Sequence, residues 1–84
     1  MELIDTVQLM LSNDYKERFI GEYIQTKIRY DKLKVMCDKW DNEELDFEPT
    51  CPREIYNEQL NYMFSYLCIL EERAQLEGID LIDC

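Results

Sequence analysis

The sequence predicts an all-α protein: an antiparallel two-helix hairpin with a short N-terminal helix, assembled into a homo-oligomeric bundle. Three observations lead to this fold class. The chain has two glycines and two prolines in 84 residues, which leaves room for few turns and favours long elements. Two long stretches carry apolar residues at alternating steps of four and three, the spacing of helices that pack along a seam. A short acidic segment with a proline separates them, so the two helices should fold back on each other.

The first predicted element is a short amphipathic helix over about residues 2–11. Its apolar side chains recur with the helical period. They are Leu3, Ile4, Val7, Met10 and Leu11. Ser12 or Asn13 then offers an N-cap for the next helix. The sequence leaves open whether this short helix packs on its own hairpin or on a neighbouring subunit.

The second predicted element is one long helix over residues 13–40. Its seam consists of Phe19, Tyr23, Thr26, Tyr30, Leu33, Cys37 and Trp40. Every member except the threonine is apolar, so one continuous helix is expected. Gly21 lies inside this helix and costs it about 1 kcal/mol relative to alanine, which a long helix tolerates.

A loop is predicted over residues 41–51 and a third helix over residues 52–77. The seam of this helix consists of Tyr56, Leu60, Met63, Leu67, Leu70 and Ala74. Thr50 or Cys51 is the expected N-cap, followed by a proline in the first turn. In an antiparallel pairing of the two seams, Phe19 should lie opposite Arg73.

The third helix should end at Gly78 in the left-handed conformation, with Ile79 packing back on Ala74 as in a Schellman motif. A further apolar line runs beside its seam. It consists of Ile55, Tyr62, Tyr66, Ile69 and Leu76. One partner helix covers only one stripe, so this line should meet the N-terminal helix or other subunits, and we predict a homo-oligomer of hairpins. At 84 residues the chain forms a single domain, residues 1–84, for which self-association would add stability.

The composition excludes several classes of function. A net charge of −10 opposes binding to long nucleic acids, whose phosphates need a basic surface. The chain has no histidine, and its four cysteines form no CxxC pair, so no metal site and no cofactor are expected. No apolar run is long enough for a membrane span, and no export signal is visible, so we expect a cytoplasmic protein with free thiols.

The basic residues are concentrated on the second predicted element. Residues 13–40 hold seven of the nine lysines and arginines. One row beside the seam consists of Arg18, Glu22, Gln25, Arg29 and Lys32, and a second of Lys16, Tyr23, Lys27, Tyr30 and Lys34. A cation beside an aromatic ring suits a nucleotide, because the cation meets phosphate and the ring stacks on a base. The same rows also fit a structural role, in which tyrosines fill the core and lysine stems cover apolar surface.

Catalysis finds little support in the sequence. There is no histidine to act as a base, no glycine-rich loop to cradle phosphate, and only two serines. A binding or assembly protein is therefore predicted, and not an enzyme.

Two stretches carry a resemblance to a known family. The segment ERFIGEYIQTKIRYDKL resembles the first helix of small crAss-phage-related helical-hairpin proteins, on Arg18, Glu22, Arg29, Lys32 and Leu33. The segment NEQLNYMFSYLCILEERAQLEGIDL resembles their second helix, on Gln59, Met63, Tyr66, Leu70 and Arg73. These proteins are similar to the hairpin domain of phage anti-CBASS and anti-Thoeris sponge proteins. The sequence departs from the pattern at Thr26, where the family has leucine.

The resemblance implies an anti-defence function in the cytoplasm of a bacterial host. Such sponges form oligomers, often hexamers, and sequester cyclic-nucleotide or NAD-derived immune signals without cleaving them. The implied ligand-binding residues are cations for phosphate and tyrosines that stack on a base. They are Tyr15, Arg18, Tyr23, Arg29, Lys32, Tyr66 and Arg73. The alternative is a protein-interaction module, a host-protein inhibitor or phage assembly factor, with no small-molecule ligand.

Overall fold

The computed structural model describes residues 1–81, and in that part of the chain all regular structure is helical. A single 3₁₀ turn, Leu3–Asp5, leads into α1, Thr6–Met10. The long helix α2 spans Tyr15–Asp41, and α3 spans Arg53–Glu77. The all-α fold class is confirmed.

Helices α2 and α3 run antiparallel and are tied together at both ends. At one end the guanidinium of Arg73 lies 4.9 Å from the ring centroid of Phe19, which confirms the predicted pairing of these two residues. At the other end the rings of Trp40 and Tyr56 meet edge to face at 5.7 Å.

The core lies in the half of the hairpin nearest the chain termini. Its buried members are Phe19, Tyr23, Ile24, Leu67, Leu70, Ala74 and Ile79. Five of these belong to the two predicted seams, so the heptad spacing identified the buried face correctly. Burial of a side chain such as Leu70, which is 2% exposed, contributes about 1.5–3 kcal/mol.

The helix N-termini lie slightly later than the sequence predicts. Asp14, and neither Ser12 nor Asn13, caps α2, because its backbone is extended and its carboxylate accepts a hydrogen bond from the Lys16 amide at 3.0 Å. Helix α3 begins at Arg53, because the extended backbone of Pro52 places that residue outside the helix.

The C-terminus of α3 has the predicted geometry. Gly78 adopts φ 70°, and the Ile79 amide donates to the Ala74 carbonyl at 2.8 Å. Helix α2 ends in a similar way without a glycine: Glu43 has φ 58°, and the Glu44 amide donates back to Lys39 at 2.8 Å. A glutamate therefore occupies a backbone conformation that favours glycine or asparagine.

The N-terminal segment docks on its own hairpin, against α2. Leu9 and Met10 lie against Gly21 of α2, so closely that a Cβ atom at Gly21 would lie 2.9 Å from the Leu9 Cβ. Thr6 is fully buried and its hydroxyl donates to the Leu3 carbonyl at 2.7 Å. The glycine thus permits close helix packing, a role beyond its cost to the helix.

The outer face of α3 is apolar and exposed. Tyr62 is 76% exposed, Ile69 is 58% exposed and Leu76 is exposed with them. Phe64 is also exposed, but it lies on a different side of the helix, where its ring is 6.3 Å from the ring of Tyr30. Association of several chains through this face stays a prediction. Within residues 1–81, no helix is both long and apolar enough to cross a membrane.

Candidate ligand-binding groove

A groove of about 800 Å³ lies between α2 and α3, on the side of the hairpin that the 3₁₀ turn approaches. From α2 it is lined by Gln25, Thr26, Arg29, Lys32, Leu33 and Met36. From α3 it is lined by Gln59, Tyr62, Met63 and Tyr66, and from the 3₁₀ turn by Leu3. Its volume lies within the usual range for small-molecule sites.

Two cations of the groove have no acidic partner. Within residues 1–81, Arg29 and Lys32 make no ion pair and no side-chain hydrogen bond, and both are exposed. Three other cations are paired with carboxylates: Lys27 lies 3.5 Å from Asp31, Arg53 lies 3.1 Å from Asp41 and Arg73 lies 3.3 Å from Glu77. The groove therefore carries a local positive charge that the rest of the described structure does not neutralise.

Two tyrosines form the opposite wall. Tyr66 is 44% exposed, and its hydroxyl donates a hydrogen bond to the Glu22 carboxylate on α2. This bond fixes one end of the phenol, so the ring is held at the edge of the groove. Tyr62 is more exposed and lies one helical turn away on the same face.

The polar groups between these walls are two amides and one hydroxyl. Gln25 and Gln59 each provide donors and acceptors. The Thr26 hydroxyl already donates to the Glu22 carbonyl at 2.8 Å, so it is available to a ligand mainly as an acceptor. The groove combines cations, rings and amides, the set of groups that would bind phosphate and a base.

The structure brings together three of the seven predicted site residues: Arg29, Lys32 and Tyr66. Tyr23 is 5% exposed in the core, and its hydroxyl donates to Glu71 at 2.5 Å. Arg18 donates to the Ser12 carbonyl at 2.9 Å, beside the start of α2. Neither Tyr23 nor Arg18 lines the groove.

Tyr15 and Arg73 also lie outside the groove, in a cluster with Glu77. The Tyr15 hydroxyl donates to Glu77 at 2.7 Å and accepts from Arg73 at 2.9 Å, and Arg73 is 3.3 Å from Glu77. The hydrogen bond from Tyr15, with a smaller contribution from Arg73, lowers the pKa of Glu77. The bond to Glu77 raises the pKa of Tyr15. This cluster ties α3 to the start of α2, and any ligand contact by its members stays a prediction.

Sequence reasoning did not single out several groove residues. Gln25 belongs to the polar row on α2 and Tyr62 to the exposed apolar line on α3, so both could have been found by following those rows. Leu3 comes from the N-terminal segment, whose docking position no spacing rule gives. Gln59 belongs to the quoted family motif without an assigned role.

The described residues offer no cluster of metal ligands: within residues 1–81, no three side chains from His, Cys, Asp or Glu converge on a site. Cys37 is buried, Cys51 is half-buried and Cys68 is exposed, each with a free thiol. The fourth cysteine, Cys84, lies outside the described residues.

A family model described as Sequestin matches residues 13–76, which is more than half of the chain. The chain belongs to the Sequestin family. Every groove residue except Leu3 lies within the segment that matches Sequestin. The family name indicates a sequestering, binding role, in keeping with the sponge-type resemblance of the two long helices. No curated protein and no solved structure matches the chain.

Proposed function

We propose that this Sequestin binds a small anionic nucleotide signal in the groove between α2 and α3 and sequesters it without cleaving it. The observation that carries the proposal is the pair of cations without acidic partners, Arg29 and Lys32, in a protein whose net charge is −10. The signal would be a cyclic-nucleotide or NAD-derived immune messenger, and the protein a phage-encoded anti-defence factor in the bacterial cytoplasm.

Each wall of the groove has a role in this binding. Arg29 and Lys32 form charge-assisted hydrogen bonds with phosphate oxygens. Tyr66, held by Glu22, stacks on a base, and Gln25 and Gln59 supply donors and acceptors for its edge. The acidic remainder of the surface repels long nucleic acids, which limits competition from the abundant RNA and DNA of the cell.

Retention without cleavage fits the chemistry of the groove. Among residues 1–81, its lining includes no carboxylate and no thiol, and its hydroxyls belong to Thr26 and two tyrosines. Proton transfer to or from a phosphodiester would need a group with a pKa near neutrality, such as histidine or a perturbed carboxylate. A sponge requires only that its sites exceed the signal and bind it more tightly than the effector does.

The magnitudes indicate that one groove needs help to bind tightly. Two charge-assisted contacts at about 1.5–3 kcal/mol each and one stacked base at about 1–3 kcal/mol give roughly 4–9 kcal/mol. Nanomolar binding requires a net binding free energy of about 12 kcal/mol, and the contacts must in addition offset the entropy lost on association. Further contacts are needed, and a homo-oligomer with ligand at its subunit boundaries would supply them. Sedimentation velocity at micromolar concentration tests the assembly, and a monomer there would contradict it.

Charge reversal in the groove tests the proposal. Purified protein is titrated by calorimetry with cyclic di- and trinucleotides and cyclic ADP-ribose isomers, then heated so that released ligand can be identified by mass spectrometry. We expect at least one of these ligands to bind and to be recovered intact. The double variant Arg29→Glu, Lys32→Glu should weaken binding by at least about 100-fold, since two contacts of more than about 1.4 kcal/mol each are lost.

The matched control is Lys16→Glu with Lys34→Glu. These lysines lie on the same helix, are exposed, and line no part of the groove, so the net charge changes equally while the site stays intact. Circular dichroism checks that all variants keep their helices. Equal loss of binding in both double variants would refute a localised site, and a chemically altered ligand would indicate an enzyme.

The exposed apolar face of α3 favours a second candidate, a protein-interaction module. Tyr62, Ile69 and Leu76 would then be the contact residues on this face, with Phe64 on another side of the helix, since exposed aromatic side chains dominate many interfaces. Absence of binding to every nucleotide in the panel would favour this candidate over sequestration.

A further inference from the structure

A second cavity, of about 380 Å³, continues the groove toward the loop that follows α2. Lys32 and Met36 line both cavities, so the two share a wall. The remaining lining consists of Val35, Lys39, Glu44, Leu45, Asp46 and Phe47. We refer to this second cavity as the loop cavity.

The two cavities follow one face of α2. Gln25, Arg29, Lys32, Met36 and Lys39 are separated by steps of four and three, which places them on one side of a helix. At 1.5 Å per residue, Arg29 and Lys39 are about 15 Å apart along the axis. Lys32 lies between them and lines both the groove and the loop cavity.

The loop cavity has the chemistry of a nucleoside subsite. Phe47 is 55% exposed, so its ring is available for stacking. Glu44 and Asp46 are exposed carboxylates, which accept hydrogen bonds from ribose hydroxyls or an exocyclic amine. Lys39, like Lys32, makes no ion pair or side-chain hydrogen bond among the described residues.

The charges of the loop cavity are divided between the helix and the loop. Lys32 and Lys39 lie on α2, whereas the carboxylates of Glu44 and Asp46 lie on the loop. Phosphate is therefore favoured at Lys32, next to Arg29 of the groove, and disfavoured beside the two loop carboxylates, where an uncharged sugar or base would fit.

We infer that the loop cavity binds the sugar or base on the far side of the phosphate from the groove. The preferred ligand then contains two nucleoside or ribosyl units joined through phosphate, with that phosphate held by Lys32. This inference rests on the proposed function of the groove. Stacking of a second base on Phe47 would also add a contact within one subunit that the groove alone does not make.

The test compares one mononucleotide with two dinucleotides on the wild type and on Phe47→Ala, by calorimetry. The probes are cyclic AMP, cyclic di-AMP and NAD⁺. We expect the wild type to bind at least one dinucleotide more tightly than cyclic AMP. Phe47→Ala should weaken dinucleotide binding by about 5- to 100-fold, the range for loss of one stacked base, and leave cyclic AMP binding unchanged within about twofold. The two dinucleotide arms distinguish a cyclic dinucleotide from an NAD-derived ligand as the source of this chemistry.

Phe64→Ala is the matched control, because Phe64 is similarly exposed at 51% but lines neither cavity. Equal affinities of the wild type for cyclic AMP and both dinucleotides would overturn the inference. Unchanged dinucleotide binding in Phe47→Ala would also overturn the inference. If Arg29→Glu with Lys32→Glu abolished binding in the same experiment, the proposed function would still be supported. Failure of the wild type to bind any of these three probes would overturn the inference, whereas the proposed function would be overturned only if the cyclic trinucleotides and cyclic ADP-ribose isomers also failed to bind.

Discussion

Replacement of Gly21 by alanine tests the link between the N-terminal segment and the groove. In an isolated helix this change would stabilise by about 1 kcal/mol. Here the new Cβ would lie 2.9 Å from the Leu9 Cβ, 3.0 Å from the Met10 Cγ and 3.1 Å from the Met10 amide nitrogen. Carbon atoms pack at about 3.5–4.0 Å, so the segment must move outward by roughly 0.5–1 Å.

The magnitude follows from two opposing effects. Two of the three atoms that the Cβ would meet are a Cβ and a backbone nitrogen, which cannot rotate away as the end of a flexible side chain can. Overpacking of this kind costs about 1–3 kcal/mol, against the gain of about 1 kcal/mol in helix propensity. We expect Gly21→Ala to lower the free energy of unfolding by about 0–2 kcal/mol and to loosen α1.

Urea denaturation measures the global effect, and hydrogen exchange measures the local one at the amides of α1. Because Leu3 lines the groove, loosening should also weaken nucleotide binding. Gly78→Ala is the control: its Cβ would meet nothing within 4 Å, but φ is 70°, so it should cost about 1 kcal/mol with no change in α1. Stabilisation by Gly21→Ala with unchanged exchange in α1 would refute the reasoning.

Two further predictions concern the ends of the long helices. Glu43→Asn should raise the free energy of unfolding by about 1 kcal/mol, measured as a higher urea midpoint, because asparagine tolerates the left-handed backbone that glutamate adopts there. An unchanged midpoint would show that this conformation is not strained. Glu77→Gln should destabilise the protein at neutral pH, because the lowered pKa of Glu77 means that its carboxylate stabilises the fold above the ordinary glutamate pKa of about 4.3. That contribution is lost as pH falls through the lowered pKa, so urea curves of the wild type and the variant should converge in acid, and a pH-independent difference would contradict this assignment.

The hairpin could be predicted from the sequence because heptad spacing of apolar residues indicates both that a segment is helical and which of its faces packs against another helix. Phe19 and Tyr23 on one seam, and Leu67 and Leu70 on the other, are buried where the spacing placed them. The helix starts were predicted less well, because neighbouring residues compete to cap. Ser12 can cap in principle, but its hydroxyl instead accepts from the Asp14 amide and donates to the Glu17 carboxylate.

The candidate site was only partly predictable. The spacing of residues along a helix shows which of them share a face, but not which residues of other elements lie opposite that face. Arg29 and Lys32 lie on the row that faces the groove. Tyr15 and Arg73 have the right chemistry for a ligand, but in the fold both bond to Glu77. Arg73 and Glu77 are four residues apart on α3, a spacing that allows a pair, whereas the bond from Tyr15 joins residues far apart in the sequence, about which helical spacing contains no information.

The contrast between an acidic protein and a basic groove has a physical consequence for ligand choice. At physiological salt, charges more than about 8 Å apart are largely screened. A small anion bound in the groove, as we propose, would therefore experience mainly Arg29 and Lys32, whereas a long nucleic acid would extend beyond them and meet the acidic surface. Lowering the salt lengthens the screening distance, so it should strengthen the repulsion of polymers while the short-range contacts to a small phosphate persist. The separation of charge thus selects by size, a property that a sequestering protein in a nucleic-acid-rich cell requires.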